Sequence, residues 1–295
     1  MSRYKPASNM SKERIDKLFH GSIDMHLHVA PDPLWERRFD TMESARLVQN
    51  AGMKAFVAKS YYYPTTTECL IVNKELEAEV AIPSVTIGFG STGGLEGAPA
   101  VMERHAQMGC KLVWFPAGEA KTCYKMLFGK EGGITVLDSE GKLRKEALDV
   151  LEICRDYNIV VCKGHMDFAE TDAVFKAAKD MGIKKLVNTH PLSDGWGPFT
   201  LEQNKYFADM GAYTEIVFNN LMPRLGSMDP ADYVDFVREI GAERMIMGTD
   251  LAQAVDIDPA EGTRFFIATM LQFGCTDEEV EWMAKTNPNK LLFED

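Results

Sequence analysis

No apolar run in this chain approaches the roughly 20 residues that a helix needs to span a bilayer. The opening residues Met1-Ser2-Arg3-Tyr4-Lys5-Pro6 hold no apolar segment that would serve as a secretory signal. Cysteine-pairing signals are missing too. None of the six cysteines forms a Cys-x-x-Cys, and Cys154 and Cys162 sit inside apolar segments. Buried free thiols in a reducing compartment fit that pattern better than a disulfide framework or a structural zinc knot. Positive charge is in short supply: 32 Lys and Arg face 44 Asp and Glu, a net charge of −12. That balance argues against nucleic acid or an anionic membrane as the principal partner and leaves a small molecule as the expected one. A cytoplasmic location is the expectation. With 45% hydrophobic and 26% charged residues, the 295-residue chain has the composition of an ordinary globular protein. Residues 1–20 read as an N-terminal extension and 21–295 as a single domain.

Short β-branched runs alternate with longer amphipathic stretches, the pattern of a parallel sheet with crossover helices. Strands are predicted at 23–28, 54–59, 82–88, 111–115, 159–163, 185–189, 213–218 and 245–248, with helices at 42–49, 66–79, 145–157, 169–181 and 231–240 among those between them. Gly52, Gly109, Gly182, Gly211 and Gly241 each stand where a helix gives way to a strand, as a left-handed helix terminator should. Eight such units in this length predict an α/β fold of the (β/α)8 TIM-barrel type. An open doubly wound sheet is the alternative, supported by Gly88-x-Gly90-x-x-Gly93. That run matches a dinucleotide fingerprint, but it follows the third strand, and no acidic residue closes the next one. It reads better as a loop aiming backbone N–H groups at an anionic substrate. After the fourth strand a long connection, 118–144, contains a predicted hairpin over 134–143; its length suggests a lid or an oligomer contact.

Only six histidines occur, and four of them end predicted strands. His26 and His28 close the first strand one residue apart, so an extended backbone puts both imidazoles on one face, with Asp24 beside them. His165 ends the fifth strand, His190 the sixth, and Asp250 the eighth. In such barrels chemistry sits at these C-terminal ends. Imidazole nitrogens with a carboxylate are ligands for a divalent metal, zinc first and manganese as the alternative, and they leave a position open for water.

Asp24-Met25-His26-Leu27-His28, then His165, His190 and Asp250 in that strand order, resemble the amidohydrolase superfamily of metal-dependent hydrolases. The tail Asn287-Pro288-Asn289-Lys290-Leu291-Leu292 is similar to one common in that superfamily. The segments 59–65, 113–116 and 248–251 look like a poorly characterised amidohydrolase-related branch. The resemblance implies that His26, His28, His165 and Asp250 bind metal. It also implies that Asp250 takes a proton from the attacking water, and that His190 ligates a second ion or polarises the substrate. The chain departs from the pattern on the fourth strand, where many binuclear members carry a bridging carboxylated lysine or glutamate; Lys111 stands at the wrong end. One ion is then held, or the bridge comes from Lys59 at the end of the second strand. The other readings of Lys59 are a binder of substrate carboxylate and a plain ion pair.

Arg37 and Arg38 in the first βα loop, Tyr61 after the second strand and Trp196 after His190 are candidate substrate contacts. Glu215 is a lone acid inside the seventh strand and calls for a partner. Hydrolysis of a small-molecule amide, lactam, lactone or ester is the expected activity, with Asp250, His190 and Lys59 as the catalytic set. A mononuclear non-oxidative decarboxylase or hydratase is the alternative, and a metal-retaining binding barrel a third reading. Association into a homo-oligomer is compatible with the fold but is marked by no motif.

Overall fold

The computed structural model describes residues 10–223 and 228–294, so the first part of the N-terminal extension lies outside the described residues. Among the described residues nine strands alternate with helices. They are β1 (Ile23–His28), β2 (Ala55–Lys59), β3 (Ala81–Ile82), β4 (Ser84–Thr86), β5 (Leu112–Trp114), β6 (Val160–Cys162), β7 (Leu186–Asn188), β8 (Tyr213–Val217) and β9 (Met245–Gly248). Every expected strand is present. The third is split into β3 and β4 at Pro83, which has no N–H to give a ladder. The five joint glycines all have positive φ, from 85 to 103°. No described helix is long and apolar enough to cross a membrane.

Two compact units make up the chain. The first comprises Met1–Ala58, Ile71–Ile82 and Thr214–Asp295; the second comprises Lys59–Leu70 and Pro83–Tyr213. In the first, the strands run β3-β2-β1. β1 meets the end of β9 through the parallel bridge Leu27↔Leu251, and β9 pairs in parallel with β8, Glu215 opposite Ile246 and Val217 opposite Gly248. Phe56, Tyr233, Phe266 and Met270 are buried in this unit. Asn287 of the tail motif is fully buried there, and its side-chain amide donates to the carbonyls of Ala242 (2.9 Å) and Met245 (2.7 Å). The motif thus fixes the entry to β9. The described part of the N-terminal extension forms a helix, Lys12–Phe19. Phe19 is buried beneath the Arg264 guanidinium at 4.0 Å, on the helix Pro259–Phe273.

The second unit holds β4-β5-β6-β7, parallel throughout, with Val85 opposite Val113 and Trp114 opposite Cys162. Val85, Val113, Val161, Phe175 and Phe207 belong to one buried cluster. The long connection after β5 carries a helix the sequence did not announce, Lys121–Phe128, before the expected hairpin. That hairpin is small: Leu137 bridges Leu143 in antiparallel sense, and the Asp138 carboxylate accepts from the N–H groups of Glu140 (2.8 Å) and Lys142 (3.0 Å). Buried Glu170 ties the insertion to the helix Phe168–Asp180 by accepting from the Thr135 hydroxyl (2.5 Å) and the Val136 N–H (3.0 Å).

Because all strand pairings within each unit are parallel, the C-terminal strand ends of that unit lie on one side. Gly164, just past β6, has φ 63°, and a Cβ there would stand 2.2 Å from the Phe115 carbonyl oxygen and 2.4 Å from that of Pro116. Gly182 is also left-handed, φ 85°, but has open space around it. Gly182→Ala is therefore expected to cost about 1–2 kcal/mol, the price of the backbone conformation alone. Gly164→Ala, which must also move backbone, should exceed about 4 kcal/mol. Denaturant midpoints of the two proteins check the order.

Candidate metal centre

All six residues of β1 are buried, so its two faces carry different loads. Ile23, Met25 and Leu27 pack apolar, while Asp24, His26 and His28 share the other face. The Nε2 atoms of His26 and His28 lie 3.3 and 3.2 Å from a single oxygen, Oδ1 of Asp250. Ligand atoms of the three residues are all within 4.8 Å of one another. Two imidazole nitrogens and a carboxylate oxygen in a buried cluster suit a divalent transition ion. The second nitrogen of His26, Nδ1, is 3.2 Å from Oε2 of buried Glu215 on β8. A carboxylate behind a ligating histidine fixes the tautomer and the ring plane and raises the ligand's basicity. The fit to a metal thus rests on the donor set and on the support behind it.

Asp24 organises the two strands that bear the cluster. Its carboxylate accepts from the N–H of Thr249 (2.8 Å), the hydroxyl of Thr249 (2.5 Å) and the N–H of His26 (3.1 Å). Burial pushes this carboxyl up to about 6, against the pull of those hydrogen bonds. Asp250 follows at φ 53° and donates its N–H to the His26 carbonyl at 2.7 Å. A non-glycine residue in the left-handed region is strained, and such strain gathers at functional sites. Asn219, in the turn after β8, donates from Nδ2 to Oδ2 of Asp250 at 3.2 Å.

The other two expected histidines belong to the second unit. His165 and His190 are buried there with ring centroids 5.1 Å apart. His190 has φ 25°, again left-handed. Trp196 packs on His165 at 4.8 Å and Tyr61 at 6.0 Å. From the insertion helix, Cys123 Sγ lies 3.6 Å from Nδ1 of His165, and the Thr122 hydroxyl donates to the His165 carbonyl. Burial pushes the Cys123 thiol up to about 11, so it stays protonated. Lys59 is fully buried, its Nζ 4.7 Å from the Trp114 ring and 5.1 Å from that of Tyr61.

Arg37 is engaged locally. It grips Asp32 through Nε (2.9 Å) and Nη2 (2.7 Å), with both side chains at most 5% exposed. Arg38 is exposed, donates to the Asp256 carbonyl and stacks over Phe39 at 4.9 Å. The glycine run Gly88–Gly93 departs from expectation. The N–H groups of Phe89 and Gly90, read as pointing at an anionic substrate, donate to the chain's own Glu119 carboxylate, at 2.5 Å for Phe89. Sequence reasoning missed the roles of Asn219, Thr249 and Cys123; Asn219 and Cys123 lie in no motif, Thr249 stands in the 248–251 segment without a role of its own, and each acts through a contact distant in sequence. Glu215 was legible as an acid in need of a partner, and His26 is a partner it has.

Glu215→Gln, which removes the charge behind His26, is expected to weaken metal binding about 10–100-fold with the fold intact. Gly248→Ala should do comparable damage by sterics, since a Cβ there would sit 2.8 Å from the Cβ of His26 and 3.1 Å from Oε1 of Glu215. Competition titration against a chromophoric chelator measures both.

The fold is shared with structures already solved. An amidohydrolase from Pseudomonas aeruginosa superposes with a TM-score of 0.68 at 12% identity, over 97% of this chain and 99% of the other. The probable dipeptidase PvdM from the same organism gives 0.68 at 10% identity, over 95% and 96%. A 2,6-dihydroxybenzoate decarboxylase, solved with 2,6-dihydroxybenzoate, gives 0.54 at 10% identity, over 92% and 99%. These neighbours are amidohydrolase-superfamily structures, as the sequence resemblance implies, and at such identities the likeness shows the α/β fold of the (β/α)8 type. No curated protein sequence matches the chain significantly. Residues 21–215 match the family described as "Family of unknown function (DUF6282)", and the chain belongs to that family.

Proposed function

We propose that the protein is a metal-dependent hydrolase of a small-molecule amide, lactam, lactone or ester. The observation that carries this reading is the convergence of His26 Nε2 and His28 Nε2 on Oδ1 of Asp250. These three side chains would hold the ion, zinc first and manganese as the alternative. Bound there, a divalent cation would supply Lewis acidity toward a carbonyl and make a water acidic enough to ionise near neutrality. The chain's own residues do the rest. Glu215 keeps the Nδ1 of His26 engaged so that Nε2 faces the cluster. Asp250 takes the proton of the attacking water and returns it to the leaving group. His165 and His190 are proposed as further ligands or as polarising groups, following the superfamily pattern. Tyr61 and Trp196, whose rings stand beside His165, are proposed as walls for an apolar or planar part of the substrate. Arg37 and Arg38 are proposed as weaker contacts, and Lys59 as a bridging carbamate or a substrate-carboxylate binder. A cytoplasmic location and a single barrel domain over 21–295 remain part of the proposal.

A second reading, non-oxidative decarboxylation or hydration, is favoured by one observation. β5, the fourth strand of the pattern, is Leu112-Val113-Trp114, without the lysine or glutamate that bridges two ions in many superfamily members, and a mononuclear centre is part of this second reading.

Elemental mass spectrometry on untagged protein is expected to find metal, and His165→Ala and His190→Ala proteins decide whether those two histidines help to hold it. Two equivalents falling to one in Lys59→Ala would make Lys59 the bridge, whereas one equivalent unchanged in that variant would put decarboxylation first. Asp250→Asn should stay folded and keep metal, while hydrolysis of the responsive member of an amide, lactone and ester panel drops about 1,000-fold. An Asp250→Asn protein as active as wild type would remove Asp250 from the base role. Carbon dioxide release from carboxylated aromatic or enoic acids, without hydrolysis of the panel, would select the second reading.

A further inference from the structure

The two oxygens of Asp250 face different partners. Oδ1 looks at His26 Nε2 (3.3 Å) and His28 Nε2 (3.2 Å), while Oδ2 accepts from the Asn219 side-chain amide at 3.2 Å. Asn219 is itself anchored. Its backbone N–H donates to the Thr249 carbonyl at 3.0 Å, it is 7% exposed, and it sits in the turn Phe218–Leu221 directly after β8. That strand also presents Glu215 to His26. One strand and its turn therefore grip both the first histidine and the carboxylate of the cluster.

The χ2 torsion of aspartate is broad and soft, so a donor fixed on one oxygen has leverage over the orientation of the whole carboxylate. A carboxylate beside a divalent ion can offer one oxygen or both. We propose that Asn219 is a positioning residue that divides the labour of Asp250, with Oδ1 given to the metal and Oδ2 kept outside the ligand set, ready to take a proton. The inference rests on the metal-centre reading above and adds to it the identity of the oxygen that acts as base. An amide suits this role because its N–H steers Oδ2 without neutralising it, where an ammonium or guanidinium would make the carboxylate a poorer base.

The test uses full-length protein, stripped with chelator and reloaded with Co2+ alone, for wild type, Asn219→Ala and the near-isosteric Asn219→Leu. Folding of each is verified by circular dichroism; Leu fills the space if truncation to Ala proves disruptive. A tether that keeps Oδ2 off the metal makes a specific forecast. The variants bind Co2+ as tightly as wild type or more tightly, and their visible absorption weakens as the second oxygen joins the coordination shell. A residue that merely props up a ligand would instead lower affinity about 10–100-fold. That loss, or a spectrum identical to wild type in both variants, overturns the role of Asn219 while leaving the metal centre standing. Wild-type protein that takes up no Co2+ overturns the metal centre itself, and the division of labour with it.

Discussion

A carboxylate inside a parallel sheet is tolerable only when its lone pairs are filled, and Asp24 fills its own from the two strands that bear the metal-competent cluster. Two donors come from Thr249 and one from the His26 backbone. Hydrogen bonds to a charged acceptor are roughly twice as strong as neutral ones, and a buried charge deprived of them is costly. The consequence is a fixed offset between β1 and the end of β9. His26 and Asp250 lie two and one residues beyond the two anchor points, so their relative placement is inherited from this one tie. The Asp250 N–H to His26 carbonyl bond, at 2.7 Å, closes the same joint from its other side.

Within each unit, strain and support are paired. Asp250 is held at φ 53° and His190 at φ 25°, a region uncommon for residues other than glycine and often found at functional sites. For Asp250 the determinants are visible: its own N–H bond, the Asn219 amide on Oδ2 and the two imidazoles before Oδ1. Gly248 matters for the same reason, because the backbone of β9 approaches the Cβ of His26 too closely for a side chain. In the second unit the insertion helix plays the corresponding part for His165, through Thr122 on its carbonyl and Cys123 beside its ring.

What the sequence discloses depends on how far apart the interacting residues lie. β1 spans 23–28 as predicted, because alternation within six residues is a local signal. Each strand-end histidine and Asp250 could be placed by the same local rule. The break at Pro83 was legible in principle, since proline cannot complete a ladder, but the β-branched residues on both sides of it, Ile82, Val85, Thr86 and Ile87, masked it. The helix Lys121–Phe128 escaped notice because it is short and lies in a stretch flanked by glycines. The partner of Glu215 could not be read at all: His26 lies 189 residues away in the chain. Arg37 shows the opposite limit. Its carboxylate, Asp32, is five residues off, yet nothing in the sequence distinguishes a local clamp from a substrate contact. The Gly88–Gly93 loop likewise matched an anion-binding pattern whose N–H groups Glu119, about thirty residues on, occupies.

Charge bears on the proposed metal centre as the motif pattern does. Within the first unit the cluster sets one carboxylate, Asp250, directly toward the ligand position and a second, Glu215, behind His26. Asp24, buried on the same face of β1 and accepting from the His26 N–H, is a third carboxylate beside the two histidines. A second dication would require further anionic ligands, as bridging carboxylates provide in binuclear centres, because uncompensated charge in a buried site is strongly disfavoured. The fourth strand of the pattern contributes leucine, valine and tryptophan. In the second unit Lys59, proposed as a bridging carbamate or a substrate-carboxylate binder, has its Nζ 4.7 Å from the Trp114 ring and 5.1 Å from that of Tyr61. The proposed centre, with Asp250 as its base, is compatible with hydrolysis and with decarboxylation alike, so the choice between them lies with the substrate and with the atom of it that Asp250 would reach.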